Sequence, residues 1–104
     1  MALISENITL SNGYPMPKLA FGTYGLDKNK VESIIIDALK TGYRHLETAP
    51  IYLNEKAIGE AIRKSGIDRD TLFITSKIPP HIKTYDGTLR MARRSMEKLG
   101  VDHL

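Results

Sequence analysis

Three residues of the chain have side chains suited to proton transfer and spacing suited to bringing them together. They are Glu47, Tyr52 and Lys77. A phenol is a proton donor, but a free one titrates near pH 10 and is a weak acid at neutrality. A neighbouring ammonium favours the phenolate and so strengthens the acid, and a carboxylate beside that ammonium keeps it charged. The same residues have plainer readings. A lone tyrosine in a loop usually packs or faces solvent, a lysine ending a strand is usually hydrated, and Glu47 could pair with either Arg44 or Lys77.

What decides between these readings is the set of elements that would carry the residues. Ile8 to Leu19 reads as a hairpin, with Asn12-Gly13 as a two-residue turn of positive φ and Pro15 and Pro17 keeping the return strand short. Leu19 to Thr23 is a short apolar run suited to a buried strand. A helix then starts from Asp27 as N-cap and aligns Val31, Ile34, Ile35, Ala38 and Leu39. Tyr43 to Glu47 is the next strand. Asn54 caps a second helix with Ala57, Ile58, Ala61 and Ile62 inward. Leu72 to Lys77 is a third strand, and a third helix from Asp86 to Leu99 turns Leu89, Ala92, Met96 and Leu99 inward. Gly42, Gly66 and Gly100 end the three helices. Val101 to Leu104 reads as the entry of a fourth strand.

Strands alternating with helices predict an α/β fold with a parallel sheet. In such a fold Glu47, Tyr52 and Lys77 gather at the rim where the strands end, which is where active sites form. Three βα units do not close a (β/α)₈ barrel, which takes about 250 residues. The length of 104 residues therefore fits either a small three-stranded α/β protein or an early piece of a larger one.

Composition removes several classes. There is no cysteine, so disulfides, thiolate catalysis and cysteine-based zinc sites are excluded. A net charge of +3 is too small and too dispersed for a nucleic-acid surface. Arg90, Arg93 and Arg94 share one helix side and read as a solvated face. Met1 to Gly13 lacks a basic start and a long apolar run, which argues against a signal peptide. No stretch approaches the ~20 apolar residues of a membrane span, so a cytoplasmic protein is expected. His45 and Glu47 share a strand face, but two ligands without a third make no metal site. No G-x-G-x-x-G fingerprint is present.

The stretch from Gly42 to Gly59, GYRHLETAPIYLNEKAIG, resembles the first signature of the aldo-keto reductases and matches it at every fixed position but one. Asn12 to Tyr24 resembles that family's bottom hairpin and first barrel strand. Ser65 to Lys77 resembles its third strand with the catalytic lysine, and Thr88 to Leu104 its third helix and fourth-strand entry. The resemblance implies a partial (β/α)₈ TIM barrel, a hairpin plus about three βα units. It makes 1–104 an incomplete oxidoreductase domain, truncated at the start of the fourth strand. It implies NADPH as cofactor and a small carbonyl compound as substrate, reduced to the alcohol by hydride transfer.

Carried over by position, the resemblance makes Tyr52 the general acid and Lys77 the lysine that tunes it. Glu47 stands where the family has an aspartate that binds the lysine and contacts the nicotinamide ribose. Gly22, Thr23 and Tyr24 match the loop beside the nicotinamide. Three departures qualify this. Glu47 carries one methylene more than aspartate, Ile78-Pro79-Pro80 replaces an aromatic pocket residue, and the family's histidine lies beyond Leu104. The stretch alone is expected to be inactive, since most of the family's cofactor contacts lie beyond Leu104, and to self-associate through the unpaired edge of the third strand around Phe73 and Ile74. The rival expectation is a non-catalytic barrel remnant or interaction module with no cofactor.

Overall fold

The computed structural model describes residues 2–104. A one-turn helix, α1 (Ala2–Ser5), precedes the hairpin of β1 (Asn7–Thr9) and β2 (Pro15–Pro17). The two strands pair antiparallel with Ile8 opposite Met16. The turn differs from the sequence expectation. Gly13 alone takes positive φ, at 83°. The Leu10 amide donates to Tyr14 O at 2.9 Å and the Gly13 amide to Leu10 O at 2.8 Å, which makes a three-residue loop rather than a two-residue one. The Asn12 side chain receives the Tyr14 amide at 3.0 Å instead of turning its own backbone.

The second sheet is parallel, in the order β3 (Phe21–Gly22), β4 (His45–Glu47), β5 (Phe73–Thr75). Its register sets Leu46 between Phe21 and Ile74, and Glu47 between Gly22 and Thr75. The strands are shorter than the apolar runs that announced them. Successive residues face opposite sides, and Leu46 and Ile74 face the helices: α2 (Val31–Thr41), α3 (Glu55–Ser65) and α4 (Tyr85–Leu99). The core joins Val31, Ile35 and Leu39 of α2, Ile58, Ala61 and Ile62 of α3, and Leu99 of α4 to Leu46, Leu72 and Ile74. Each fully buried Leu or Ile there contributes on the order of 1.5–3 kcal/mol. α2 ends at Gly42, which takes φ 118° and returns its amide to Leu39 O and Ala38 O.

Several expectations are corrected. Asp27 does not cap α2. It closes a turn, receiving the Asn29 amide at 2.9 Å, and α2 begins after Lys30. In α4 the helix starts at Tyr85, with the Thr84 hydroxyl receiving the Gly87 amide. Of α4, Gly87, Ser95 and Leu99 are buried, while Leu89, Ala92 and Met96 are only partly buried. Val101–Leu104 forms no strand. It is held by Arg69, whose guanidinium donates to His103 O at 2.7 Å and Leu72 O at 2.6 Å. Arg90, Arg93 and Arg94 are exposed. Among the described residues no helix is long and apolar enough to cross a membrane.

The hairpin lies against the N-terminal ends of β4 and β5. Pro17 O meets His45 Nδ1 at 3.1 Å, and the Tyr14 and Phe73 rings are 6.0 Å apart. A carbonyl only accepts, so Nδ1 carries the proton and Nε2 faces the Thr75 hydroxyl at 2.8 Å. Both ring nitrogens of His45 are thereby engaged. Among the described residues no group of three potential metal ligands exists.

Candidate functional site

The opposite end of the sheet, where β3, β4 and β5 finish, collects the polar residues. Glu47 is the last residue of β4. The next segment, Thr48-Ala49, leads into a one-turn 3₁₀ helix, Pro50–Tyr52. Leu53 then takes φ 57°, the one positive φ on a non-glycine among the described residues. Such a conformation costs a leucine roughly 1–2 kcal/mol, and here it closes the turn that carries Tyr52, the Leu53 amide donating to Pro50 O, before α3 begins. Lys77 lies two residues beyond β5 rather than ending it.

The three side chains meet. The Tyr52 hydroxyl donates to Oε2 of Glu47 at 2.7 Å. Lys77 Nζ donates to the same oxygen, to Thr48 O at 3.1 Å and to the Tyr52 oxygen at 3.3 Å. Its ammonium stands 5.1 Å from the centre of the Tyr52 ring. Burial pushes the Glu47 carboxyl up, but the hydrogen bonds from Lys77 and Tyr52, the Lys77 charge and the Thr23 amide outweigh it and hold it below 4.5. For Lys77 burial pushes down, and the contacts to Glu47 and Tyr52 outweigh it and hold the ammonium above 10.5. The Lys77 side chain is 47% exposed, so water screens much of this attraction.

The loop after β3 closes over the same carboxylate. The Thr23 amide donates to Oε1 of Glu47 at 3.4 Å and its hydroxyl to Glu47 O at 2.9 Å. Gly22 lies beside Oε1, which a Cβ at that position would approach to 3.6 Å. Tyr24 is exposed and sets its ring edge-on to Tyr52 at 5.2 Å. Every site residue expected from sequence thus lies on one rim.

Sequence reasoning passed over the residues that hold this rim together. Asn54 was expected to cap α3 and makes no side-chain cap. It is buried and spans two strand exits instead, receiving the Thr48 hydroxyl at 2.8 Å. Its amide donates to Thr23 O at 2.9 Å and to Thr23 Oγ1 at 3.2 Å. Glu55, 3% exposed, receives Ser76 Oγ at 2.8 Å and Ser95 Oγ at 3.2 Å. The available signal was weak: an Asn-Glu pair at a helix start, whose partners are distant in sequence.

Residues 18–104 match the model of the Aldo/keto reductase family. The chain is 38% identical over its whole length to morphine 6-dehydrogenase of Pseudomonas putida, covering 35% of that protein. It is 36% identical to glyoxal reductase of Bacillus subtilis over 97% of this chain and 37% of that one. Among solved structures, the aldo-keto reductase of Bombyx mori in complex with NADP superposes with a TM-score of 0.89 at 28% identity, covering 95% of this chain and 36% of that one. The chain thus spans little more than a third of the length of the relatives it matches.

Proposed function

The chain belongs to the aldo/keto reductase family, and we propose that it carries the acid-catalytic rim of an NADPH-dependent carbonyl reductase. The observation behind this reading is the meeting of the Tyr52 hydroxyl, Lys77 Nζ and Oε2 of Glu47. On this reading β3, β4 and β5 are the first staves of a (β/α)₈ barrel, and residues 1–104 are part of its oxidoreductase domain.

The rim suits the nicotinamide-ribose end of the cofactor. Oε1 of Glu47 has one long contact, from the Thr23 amide at 3.4 Å, and can still accept from a sugar hydroxyl. Gly22 leaves the approach to that oxygen open, and Thr23 and Tyr24 flank it. When bound, NADPH supplies the hydride that reduces the carbonyl carbon. The chain's own part is the proton. Tyr52 turns its hydroxyl from Glu47 towards the carbonyl oxygen and donates as the new C–H bond forms. Lys77, beside the phenolic oxygen, balances the charge left on it, and Glu47 keeps Lys77 in place. Substrate is then a small aldehyde or ketone. Cytoplasmic residence and the absence of nucleic-acid or membrane partners belong to the same reading.

The test joins residues 1–104 to the remainder of a relative's barrel and follows aldehyde-dependent loss of NADPH absorbance. Turnover that requires Tyr52 supports the reading, and a folded hybrid that binds NADPH but reduces no aldehyde or ketone refutes it in favour of a non-catalytic module. The 104 residues alone are expected to bind NADPH more weakly than about 1 μM and to be inactive, since the rim touches only one end of the cofactor. With β3 and β5 both at sheet edges, the isolated chain is also expected to self-associate, which light scattering against concentration checks.

A further inference from the structure

Glu55 is a buried carboxylate with no part in the chemistry described above. Three elements converge on it. It is the first residue of α3, Ser76 follows β5, and Ser95 lies in α4. Both carboxylate oxygens are used, one by each serine hydroxyl, and among the described residues no lysine or arginine pairs with them. Its neighbour Asn54 is tied to Thr23 and Thr48 at the exits of β3 and β4, so the start of α3 is a fixed reference for the whole rim. Ser76 directly precedes Lys77. A hydrogen bond at 2.8 Å from Ser76 to this anchor fixes the backbone from which the long, otherwise flexible lysine side chain reaches Glu47 and Tyr52.

We propose that Glu55 is the positioning residue of Lys77, acting through Ser76 to hold the ammonium on the Tyr52–Glu47 pair. This rests on the catalytic reading of Lys77 for its significance, but its test does not. Buried polar groups that are fully satisfied fix one arrangement, because the alternatives leave a desolvated oxygen unpaired. Deleting the Ser76 hydroxyl frees the turn after β5 and leaves that carboxylate oxygen without its donor. Deleting the Ser95 hydroxyl removes a contact to the same carboxylate without touching the Lys77 backbone. The two serines therefore separate positioning from plain core stability.

The experiment is competitive acylation of the folded 104-residue chain with acetic anhydride at mildly alkaline pH, each lysine read by peptide mass spectrometry. Only the unprotonated amine reacts, so a lysine held by Glu47 and Tyr52 is protected. Exposed Lys40 and Lys56 serve as internal references. Lys77 is expected to react severalfold slower than these in the parent chain. Ser76→Ala should remove most of that protection, while Ser95→Ala keeps it even where it lowers the melting temperature. Glu55→Gln, which can still bond both hydroxyls, should keep it as well, and Glu55→Ala should lose it. If Glu55→Ala does not fold, Ser76→Ala decides alone. A folded Ser76→Ala chain with Lys77 as protected as in the parent overturns the proposal, as does equal loss of protection in Ser95→Ala. Neither outcome touches the proposed reductase chemistry, which is read by turnover.

Discussion

The Tyr52 hydroxyl and Oε2 of Glu47 stand 2.7 Å apart as donor and acceptor, on the oxygen that also receives Lys77. The phenol proton is thus directed at a carboxylate, with the ammonium beside both. A glutamate at position 47 has the reach to touch phenol and lysine at once. The site is a triangle of donor, cation and anion, and each side of it can be tested.

Tyr52→Phe, in the chain joined to a relative's remaining barrel, is expected to lower aldehyde reduction by about 10²–10⁴-fold. The ring stays, so its edge contact with Tyr24 and the NADPH dissociation constant should change little. Steady-state turnover with a parallel fluorescence titration of NADPH measures both. A variant keeping more than about a tenth of parent turnover, a barrier change of only ~1.4 kcal/mol, refutes the general-acid role.

The ion pair predicts a pH window for stability. Glu47 is held below its unfolded value of 4.5, so its contribution is present above that value and is lost as pH falls through the lower folded value. Lys77 is held above 10.5, so its contribution is present below that value and is lost as pH rises through the higher folded value. Urea midpoints of the parent chain should therefore fall away at both extremes. Glu47→Gln should flatten the acid side relative to the parent. Parallel acid limbs for the two chains would show that Glu47 is not coupled to folding.

Gly59→Ala has a sign that geometry decides. In an exposed helix interior the change would stabilise by about 1 kcal/mol. Here a Cβ would sit 2.5 Å from the Leu99 carbonyl oxygen and 2.7 Å from its carbon, so α3 and α4 would have to separate. We expect destabilisation of about 1–3 kcal/mol by urea unfolding. An increase in stability would mean that the helices yield freely at this contact.

Helix periodicity and glycine stops made α2 and α3 legible, because their buried residues recur at the spacing that defines a face. The faces of Ile35, Leu39, Ile58 and Ile62 needed no tertiary information. The stripe of α4 was legible in part, since Leu99 is buried in the core while Leu89, Ala92 and Met96 are only partly buried. Periodicity shows which face could be buried, not whether a neighbour covers it. In the site, Glu47 and Tyr52 were close in sequence, and their approach followed from strand, turn and helix. Asn54 bonds Thr23 across 31 positions and Glu55 bonds Ser95 across 40. No local pattern encodes those pairings. The Asn54 side chain has the same short polar form for an N-cap as for a cross-strand clamp, so its local sequence favoured the cap. The weak four-residue turn α1 and the loop ending at Leu104 depend on contacts rather than propensity, which is why the first was missed and the second misread as strand.

Glu47→Asp tests whether the extra methylene helps or hinders. Oε2 of Glu47 now holds two donors, and the Tyr52 proton must leave it before it can reach a carbonyl oxygen. A hydrogen bond to a charged group contributes about 1.5–3 kcal/mol, part of which would be recovered as the hydroxyl turns to the substrate. An aspartate draws the carboxylate back towards the β4 backbone. Lys77 is long and flexible enough to follow, whereas Tyr52, fixed by the turn from Pro50 to Leu53, is not. The shorter residue should therefore keep the ion pair and release the phenol. In the joined barrel we expect turnover to rise by up to about tenfold, the equivalent of ~1.4 kcal/mol, with Lys77 still protected from acylation. Turnover that falls while Lys77 stays protected would mean that the Tyr52–Glu47 hydrogen bond aids the reaction by orienting the phenol. Glu47 would then be matched to this chain's own geometry rather than an impediment within it.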